Sequence, residues 1–218
     1  MAKDMLGQAV RKIVDLPNDR LGVICDLAEK LGGDSGQEWF TEEKKFLRKK
    51  KCWTGIIADT ILEFIGAVNI PAREKFIAKD NFFVDTSEKA RVKISYLGDN
   101  FRANFLNKIE EPIVETALCY HKLKKSSRDI PIINELGGEN RAETSLSTMF
   151  FLIEKQRNGE SGALLTNGYA NIFYLRNVAG VLWAVRCYWS GGGWRVYAYS
   201  VGDPSAWGGG CRVFSRNS

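Results

Sequence analysis

Three segments near the C-terminus constrain the fold more than any other feature of this chain. Residues 170–176, 181–189 and 194–201 are rich in β-branched and aromatic side chains and are separated by Asn177-Val178-Ala179-Gly180 and by Ser190-Gly191-Gly192-Gly193. Long runs of strand-forming residues broken only by glycine-containing turns read as an antiparallel meander. A fourth strand, from about Cys211 to Ser215, follows the turn signal at Asp203-Pro204.

If both connections are simple hairpins, the register follows, and directly opposed residues share a face. The first hairpin pairs Tyr174 with Trp183 and Ile172 with Val185. The second pairs Trp189 with Trp194, Cys187 with Val196 and Val185 with Ala198. One face then carries Ile172, Tyr174, Val181, Trp183, Val185, Cys187, Trp189, Trp194, Val196 and Ala198, which is a core face. The other carries Asn171, Phe173, Leu182, Ala184, Arg186, Tyr188, Arg195, Tyr197 and Tyr199, with Tyr188 opposite Arg195 and Arg186 opposite Tyr197. Alternating tyrosine and arginine is neither an ordinary core nor an ordinary lysine–glutamate surface. Three readings compete: a face covered by the chain's own helices, a protein-binding patch, or a nucleic-acid surface where rings stack on bases and arginines meet phosphate.

The rest of the chain reads as mostly helical. Apolar positions between residues 4 and 15 recur at helical spacing, and Pro17 ends that element. Asn18 begins a second helix with Leu21, Ile24, Leu27 and Leu31 on one stripe and Gly32-Gly33 at its end. Ser35 with Glu38 forms a capping box for a third helix reaching about Lys51. Residues 54–70 are apolar and fit either a buried helix or strands. A short helix is expected over 71–79, and strands at 82–84 and 92–96 around a turn at 85–89. Further helices are expected near 100–109, from Pro112 to about Lys124, over 130–136, and from Arg141 to Arg157. The reading is an α+β protein: a helical part over 1–53, a mixed part over 54–158 and an antiparallel sheet over 159–218, in one compact domain.

Charge separates these regions. The excess of 31 basic over 26 acidic residues falls almost wholly after residue 140; beyond Lys155 every basic residue is arginine, and beyond Glu160 the only acid is Asp203. The longest apolar stretch, Ile56 to Val68, is interrupted by Asp59 and Glu63, so no membrane span is expected. The first fifteen residues mix charges with apolar positions, unlike a signal peptide. Five widely spaced cysteines without a C-x-x-C pair argue for a reducing cytoplasm over a disulfide framework or zinc ribbon.

No decisive catalytic or metal-binding signature is present. The single histidine, His121, excludes histidine-rich metal sites; with Cys119 two positions away on an expected helix, the two side chains would diverge. Gly33-Asp34-Ser35-Gly36 has no upstream histidine to serve a serine nucleophile. The basic run Lys44–Lys51 follows Glu38, Glu42 and Glu43, the order a helix dipole favours. Gly191-Gly192-Gly193 lacks the lysine of a phosphate loop and reads as a turn. The carboxylate pairs Asp59/Glu63 and Glu111/Glu115 lack the histidines of di-iron bundles and read as solvated faces.

The stretches Val92-Lys93-Ile94-Ser95-Tyr96-Leu97-Gly98-Asp99-Asn100-Phe101 and Gly168-Tyr169-Ala170-Asn171-Ile172-Phe173-Tyr174, with the ending Arg212-Val213-Phe214-Ser215-Arg216-Asn217-Ser218, resemble a group of uncharacterised proteins from candidate-phyla bacteria of the Parcubacteria kind. The resemblance runs from about residue 39 onward. It implies a free-standing bacterial protein of the cytoplasm and carries no activity, cofactor or catalytic residue.

The sequence therefore leads to a non-enzymatic interaction module. Its expected site is Arg186, Tyr188, Arg195, Tyr197 and Tyr199, and its expected ligand a protein partner. A nucleic-acid binder is the alternative and an enzyme with an unrecognised site the third reading; no catalytic residue, metal or cofactor is assigned. Nucleic-acid binding would require Arg186, Arg195, Arg212 and Arg216 on one exposed stripe.

Overall fold

A computed structural model describes residues 18–48 and 60–216, together with Gly7 and Ile13. By internal contacts the chain divides into two units, Met1–Asp59 and Thr60–Ser218. In the first, α1 (Asn18–Gly32) and α2 (Gly36–Leu47) are joined by a tight turn. Ile24, Leu27 and Leu31 form the half-buried stripe that their spacing predicts. Gly36 is required at the turn, because a Cβ there would stand 2.1 Å from the Leu31 carbonyl oxygen. The expected capping box is not made: the Ser35 side chain caps nothing, and its backbone carbonyl accepts from the N–H groups of Glu38 and Trp39 instead. The expected helix over 4–15 and the run Lys49–Lys51 lie outside the described residues, except that Gly7 and Ile13 are helical.

The second unit is built on β1 (Leu62–Ile70), β2 (Phe76–Ile77), α3 (Ala78–Asn81), β3 (Ile94–Leu97), α4 (Asp99–Phe105), β4 (Ile109–Glu110), β5 (Thr116–Leu123), α5 (Asp129–Glu135), α6 (Glu139–Ala142), α7 (Leu146–Lys155), β6 (Asn171–Arg176), β7 (Leu182–Ser190), β8 (Gly193–Ser200) and β9 (Arg212–Arg216). Seven strands form one mixed sheet in the order β1-β5-β9-β6-β7-β8-β3, while β2 and β4 form a separate two-stranded ribbon. The meander β6-β7-β8 is antiparallel as expected. The sheet is mixed because β9 runs parallel to β6 and β3 parallel to β8. Strands from the expected middle and C-terminal parts thus share one sheet. No helix among the described residues is long and apolar enough to cross a membrane.

Four expectations for the middle of the chain are corrected. Residues 112–124 do not form a helix; 116–123 are β5, held between β1 and β9. A strand buried on both sides loses the polar–apolar alternation that would have announced it. Residues 71–79 are mostly extended, since Arg73 exchanges both backbone hydrogen bonds with Ile113 and β2 pairs with β4; only Ala78–Asn81 is helical. Residues 82–84 form no strand. A single bridge joins Asp85 to Ile94, and β3 pairs with β8, one hundred residues on, rather than closing a hairpin. The helix expected over 141–157 is interrupted between α6 and α7. Thr144 donates its N–H to the Tyr174 carbonyl, the Ser145 hydroxyl accepts from the Thr148 N–H, and the Glu110 carboxylate accepts from the N–H groups of Leu146 and Ser147. A capped N-terminus is thereby written into the middle of an otherwise helical pattern.

The first hairpin is also corrected. Its pairs are Tyr174 with Ala184 and Ile172 with Arg186, one residue away from the expected register. Asn177 sets the slip. Its side-chain oxygen accepts from the N–H groups of Ala179 and Val181, closing a five-residue loop between Arg176 and Leu182 in place of four. The β6 side chains therefore change faces, so that Phe173 joins the tryptophan side while Ile172 and Tyr174 join the arginine side. The second hairpin keeps the expected pairs Trp189–Trp194, Cys187–Val196 and Val185–Ala198.

Two cores follow. On the tryptophan side, Phe173, Val185, Cys187, Trp194 and Val196 pack with Phe101 and Phe105 of α4 and with Met149, Phe150 and Ile153 of α7. On the other side, Ile132 and Ile133 of α5 and Ala142 of α6 pack on Leu123, Ile172, Tyr174, Ala184 and Val213. Gly137 and Gly138, at φ +96° and +97°, end α5 and begin the turn into α6. The α5–α6 layer covers the β5-β9-β6 region of this side and leaves the β7-β8-β3 region half-buried.

Candidate functional site

That half-buried region carries the expected residues together. Alternation along β7 places Arg186 and Tyr188 on one side, and alternation along β8 adds Arg195, Tyr197 and Tyr199. Cross-strand pairing sets Tyr188 against Arg195 and Arg186 against Tyr197. All five are half-buried. The edge strand supplies a sixth member, because the parallel β3–β8 pair brings Tyr96 beside Arg195. The sequence shows Tyr96 as an alternating strand residue but contains nothing local that ties residue 96 to residue 195.

The side chains form a ladder of rings and cations. Arg186 lies over Tyr197 at 4.8 Å from the ring centre, over Tyr188 at 5.1 Å and over Tyr199 at 5.3 Å. Arg195 lies over Tyr96 at 5.1 Å, with Tyr188 and Tyr197 each at 6.0 Å. Tyr197 stacks on Tyr188 and on Tyr199, and Tyr199 meets Trp207 edge-on at 5.7 Å. Burial raises the Tyr197 phenol above its ordinary pKa, and the neighbouring Tyr188 adds to the shift. Each such cation–ring contact contributes about 0.5–2 kcal/mol according to how dry it is.

The two guanidinium groups lie against rings and pair with no acid. Among the described residues neither Arg186 nor Arg195 makes an ion pair, whereas Arg73, Arg91, Arg176 and Arg216 all meet glutamates. The Nε of Arg186 is buried and has no hydrogen-bond partner. Nor do the four C-terminal arginines make one stripe. Arg212 lies on the opposite side of the sheet over the Tyr120 ring and donates to the Gly162 and Ala163 carbonyls, and Arg216 stands 3.6 Å from Glu143.

A cavity of about 250 Å³ adjoins the ladder, lined by Asp129, Arg186, Tyr199, Asp203 and Trp207 among others. Asp129 is 2% exposed, and its Oδ1 accepts from the Tyr174 hydroxyl at 2.9 Å and from the Trp207 indole N–H at 2.7 Å. Burial holds its carboxyl above the usual range, against the lowering effect of those two donors. At the rim, the Ser205 N–H holds the Asp203 carboxyl below its usual range. Asp129 and Trp207 carry no local sequence signal for this role; the loop that returns to the sheet brings them together.

The other candidates come to less. Because 116–123 is a strand, Cys119 and His121 point to the same side, which corrects the divergence expected of a helix, and both line a cavity of about 390 Å³ with Glu135. Burial pushes the thiol up and the imidazole down, so both are held neutral, the reverse of a thiolate–imidazolium pair. The Glu135 carboxylate is committed to the N–H groups of Ile61 and Leu62. Glu111 and Glu115 are not on a helix, and Glu115 accepts from Asn69; Asp59 lies outside the described residues. No group of three metal-ligating side chains occurs among the described residues. Gly191 and Gly192 form the β7–β8 turn.

Comparison with protein-family models, with curated proteins and with solved structures finds no match.

Proposed function

We propose that the tyrosine–arginine side of β7, β8 and β3 is a docking surface for a protein partner that presents carboxylate side chains, and that the chain acts as a binding module rather than a catalyst. One observation carries this reading. Two guanidinium groups are fixed among tyrosine rings on a half-open sheet face, and neither has an acidic neighbour within ion-pairing distance. Tyrosine and arginine are the residues from which interface hot spots are built, since their large flat groups gain contact area with little loss of freedom. A partner carboxylate would supply the bidentate acceptor that the planar Arg195 guanidinium lacks. The scattering of Arg212 and Arg216 away from Arg186 and Arg195 weighs against a phosphate-tracking stripe. We also place the protein in the cytoplasm, on the odd number and wide spacing of its cysteines.

The test is a titration of the isotope-labelled protein with glutamate-rich peptides containing an aromatic residue, alongside lysine-rich versions and a single-stranded oligonucleotide at two salt concentrations. The expected result is that acidic peptides shift resonances of Tyr96, Tyr188, Arg195 and Tyr197, and that Arg195→Met weakens binding by about tenfold or more. Peptides that leave these resonances unmoved would overturn the reading. So would oligonucleotide binding that collapses at the higher salt, which would establish the nucleic-acid alternative.

A further inference from the structure

The cavity at the Trp207 end of the ladder has features that a docking surface does not require. Arg186 and Asp129 line it together, yet they form no ion pair. Opposite charges sharing one small cavity ordinarily close on each other, because each is otherwise buried without compensation. Here both are held apart by other contacts. Asp129 is pinned through Oδ1 by Tyr174 and Trp207, and its second oxygen accepts no hydrogen bond from any described residue. Arg186 is pinned over three tyrosine rings, with its Nε buried and unpartnered. The loop over the cavity is held as well: Trp207 and Ser127 exchange both backbone hydrogen bonds, and Asp203 closes its own turn on the Ser205 N–H. The walls are the near-perpendicular rings of Tyr199 and Trp207.

We propose that this cavity binds a small zwitterion of the free α-amino-acid class, its ammonium group on Asp129 with Asp203 at the rim, and its carboxylate on Arg186. Charge selects this class. A simple anion would satisfy Arg186 but face two carboxylates. A simple cation would satisfy Asp129 but face the guanidinium. An apolar molecule would seal both charges away from water with nothing to pair them, the costliest arrangement of the three. A molecule with an ammonium and a carboxylate on one carbon pairs both groups at once and lays its side chain along the two rings. The site overlaps the docking surface at Arg186 and Tyr199 but does not draw on Tyr96 or Arg195, so the two readings can fail separately.

The experiment follows the Trp207 indole N–H resonance of the isotope-labelled full chain during titration with a panel of free L-amino acids, their N-acetyl derivatives and their amides. Free amino acids are expected to shift this resonance saturably, and capping either charged end to weaken binding by about tenfold or more. Asp129→Asn keeps an acceptor for Tyr174 and Trp207 but removes the charge, and is expected to cost the same. Arg186→Met should do likewise, while Arg195→Met, which neither lines the cavity nor touches Arg186, leaves amino-acid binding unchanged. Should Asp129→Asn fail to fold, Asp203→Asn at the rim serves instead, with a smaller loss expected. The proposal is overturned if no free amino acid moves the resonance at millimolar concentration, or if the capped derivatives bind as well as the free ones. Loss of acidic-peptide binding in Arg195→Met with amino-acid binding intact would separate the two sites.

Discussion

The same two strands, β7 and β8, present very different surfaces on their two sides. Toward the tryptophan side they place Val185, Cys187, Trp194, Val196 and Ala198, each at most 3% exposed. The polar atom of the largest finds a partner, as the Trp194 indole donates to the Gln156 carbonyl at 2.9 Å. The Gln156 side chain is in turn satisfied by Glu160 and Leu164. The one loose end is the Trp183 indole N–H, which is buried without a partner. Toward the arginine side, side chains of similar size stay half-buried, and two permanent charges face rings instead of acids. Strand propensity is the same on both sides, since a β-strand gives alternate residues to each. What differs is whether a second layer arrives. Helices α4 and α7 close the first side, while α5 and α6 stop short on the second, leaving a finished core opposite an unfinished contact.

The largest effect that would sharpen this contrast is on stability. Trp194→Ala removes a fully buried ring and one of the two N–H donors to the Gln156 carbonyl, and is expected to cost about 3–5 kcal/mol in denaturant unfolding. Tyr197→Ala, on the open side, gives up two stacked ring contacts and the Arg186 contact over its ring, and should cost about 2 kcal/mol. Equal losses would mean that the arginine side is as much a core as the other, and the contrast would be broken.

A smaller effect is expected where the register of β6 is decided. Asn177→Ala removes the acceptor for two backbone N–H groups in the five-residue loop and the donor to Asn104, and should cost about 2 kcal/mol. Amide exchange at Ala179 and Val181 should accelerate first. If the variant is as stable as the parent, some other contact sets the slip.

Asn177 also shows where sequence reading stops. The strands, their turns and the β7–β8 pairing were legible because two-residue alternation and glycine turns are local properties. The β6 register was not, because a side chain that caps its own loop adds one residue to it, and one residue reverses a strand's faces. The tyrosine–arginine cluster could still be read, since it rests on the β7–β8 hairpin alone. Tyr96, Asp129 and Trp207 could not, because they reach the site through a parallel pairing and a long return loop that leave no trace in neighbouring residues. The mistaken helix over 112–124 has the complementary cause: β5 is flanked by strands and buries Leu118 on one side and Cys119 and Leu123 on the other, so its burial pattern loses its period.

The carboxyl of Asp129 offers a finer test. Its folded-state pKa is raised, chiefly by burial, so the folded protein holds this proton more tightly than the unfolded chain does. The contribution of this group to stability is therefore greatest at acid pH. It declines as pH rises through the ordinary carboxylate range and levels off above the raised native value. Asp129→Asn lacks this titration. The stability of the parent relative to the variant should fall as pH rises through that window, read from thermal midpoints of the two proteins measured in parallel. A constant difference across the window would show that the carboxyl is as well accommodated charged as neutral.

The smallest expected effect discriminates best between a finished and an unfinished surface. Arg186→Met removes contacts over three tyrosine rings, each contributing about 0.5–2 kcal/mol, but it also removes a buried Nε without a partner, which costs about 1–3 kcal/mol to leave unsatisfied. These terms oppose each other, and the unbranched methionine keeps part of the contact along the same rings. Unfolding free energy should therefore stay within about 1 kcal/mol of the parent while binding of free amino acids is lost and that of acidic peptides is weakened. A guanidinium that serves a ligand can be deleted without harm to the fold, because its missing partner lies outside the chain. One that bolts the sheet together cannot. If Arg186→Met unfolds the protein as readily as Trp194→Ala, the arginine is a structural member of a second core, and both binding assignments for this side of the sheet fall with it.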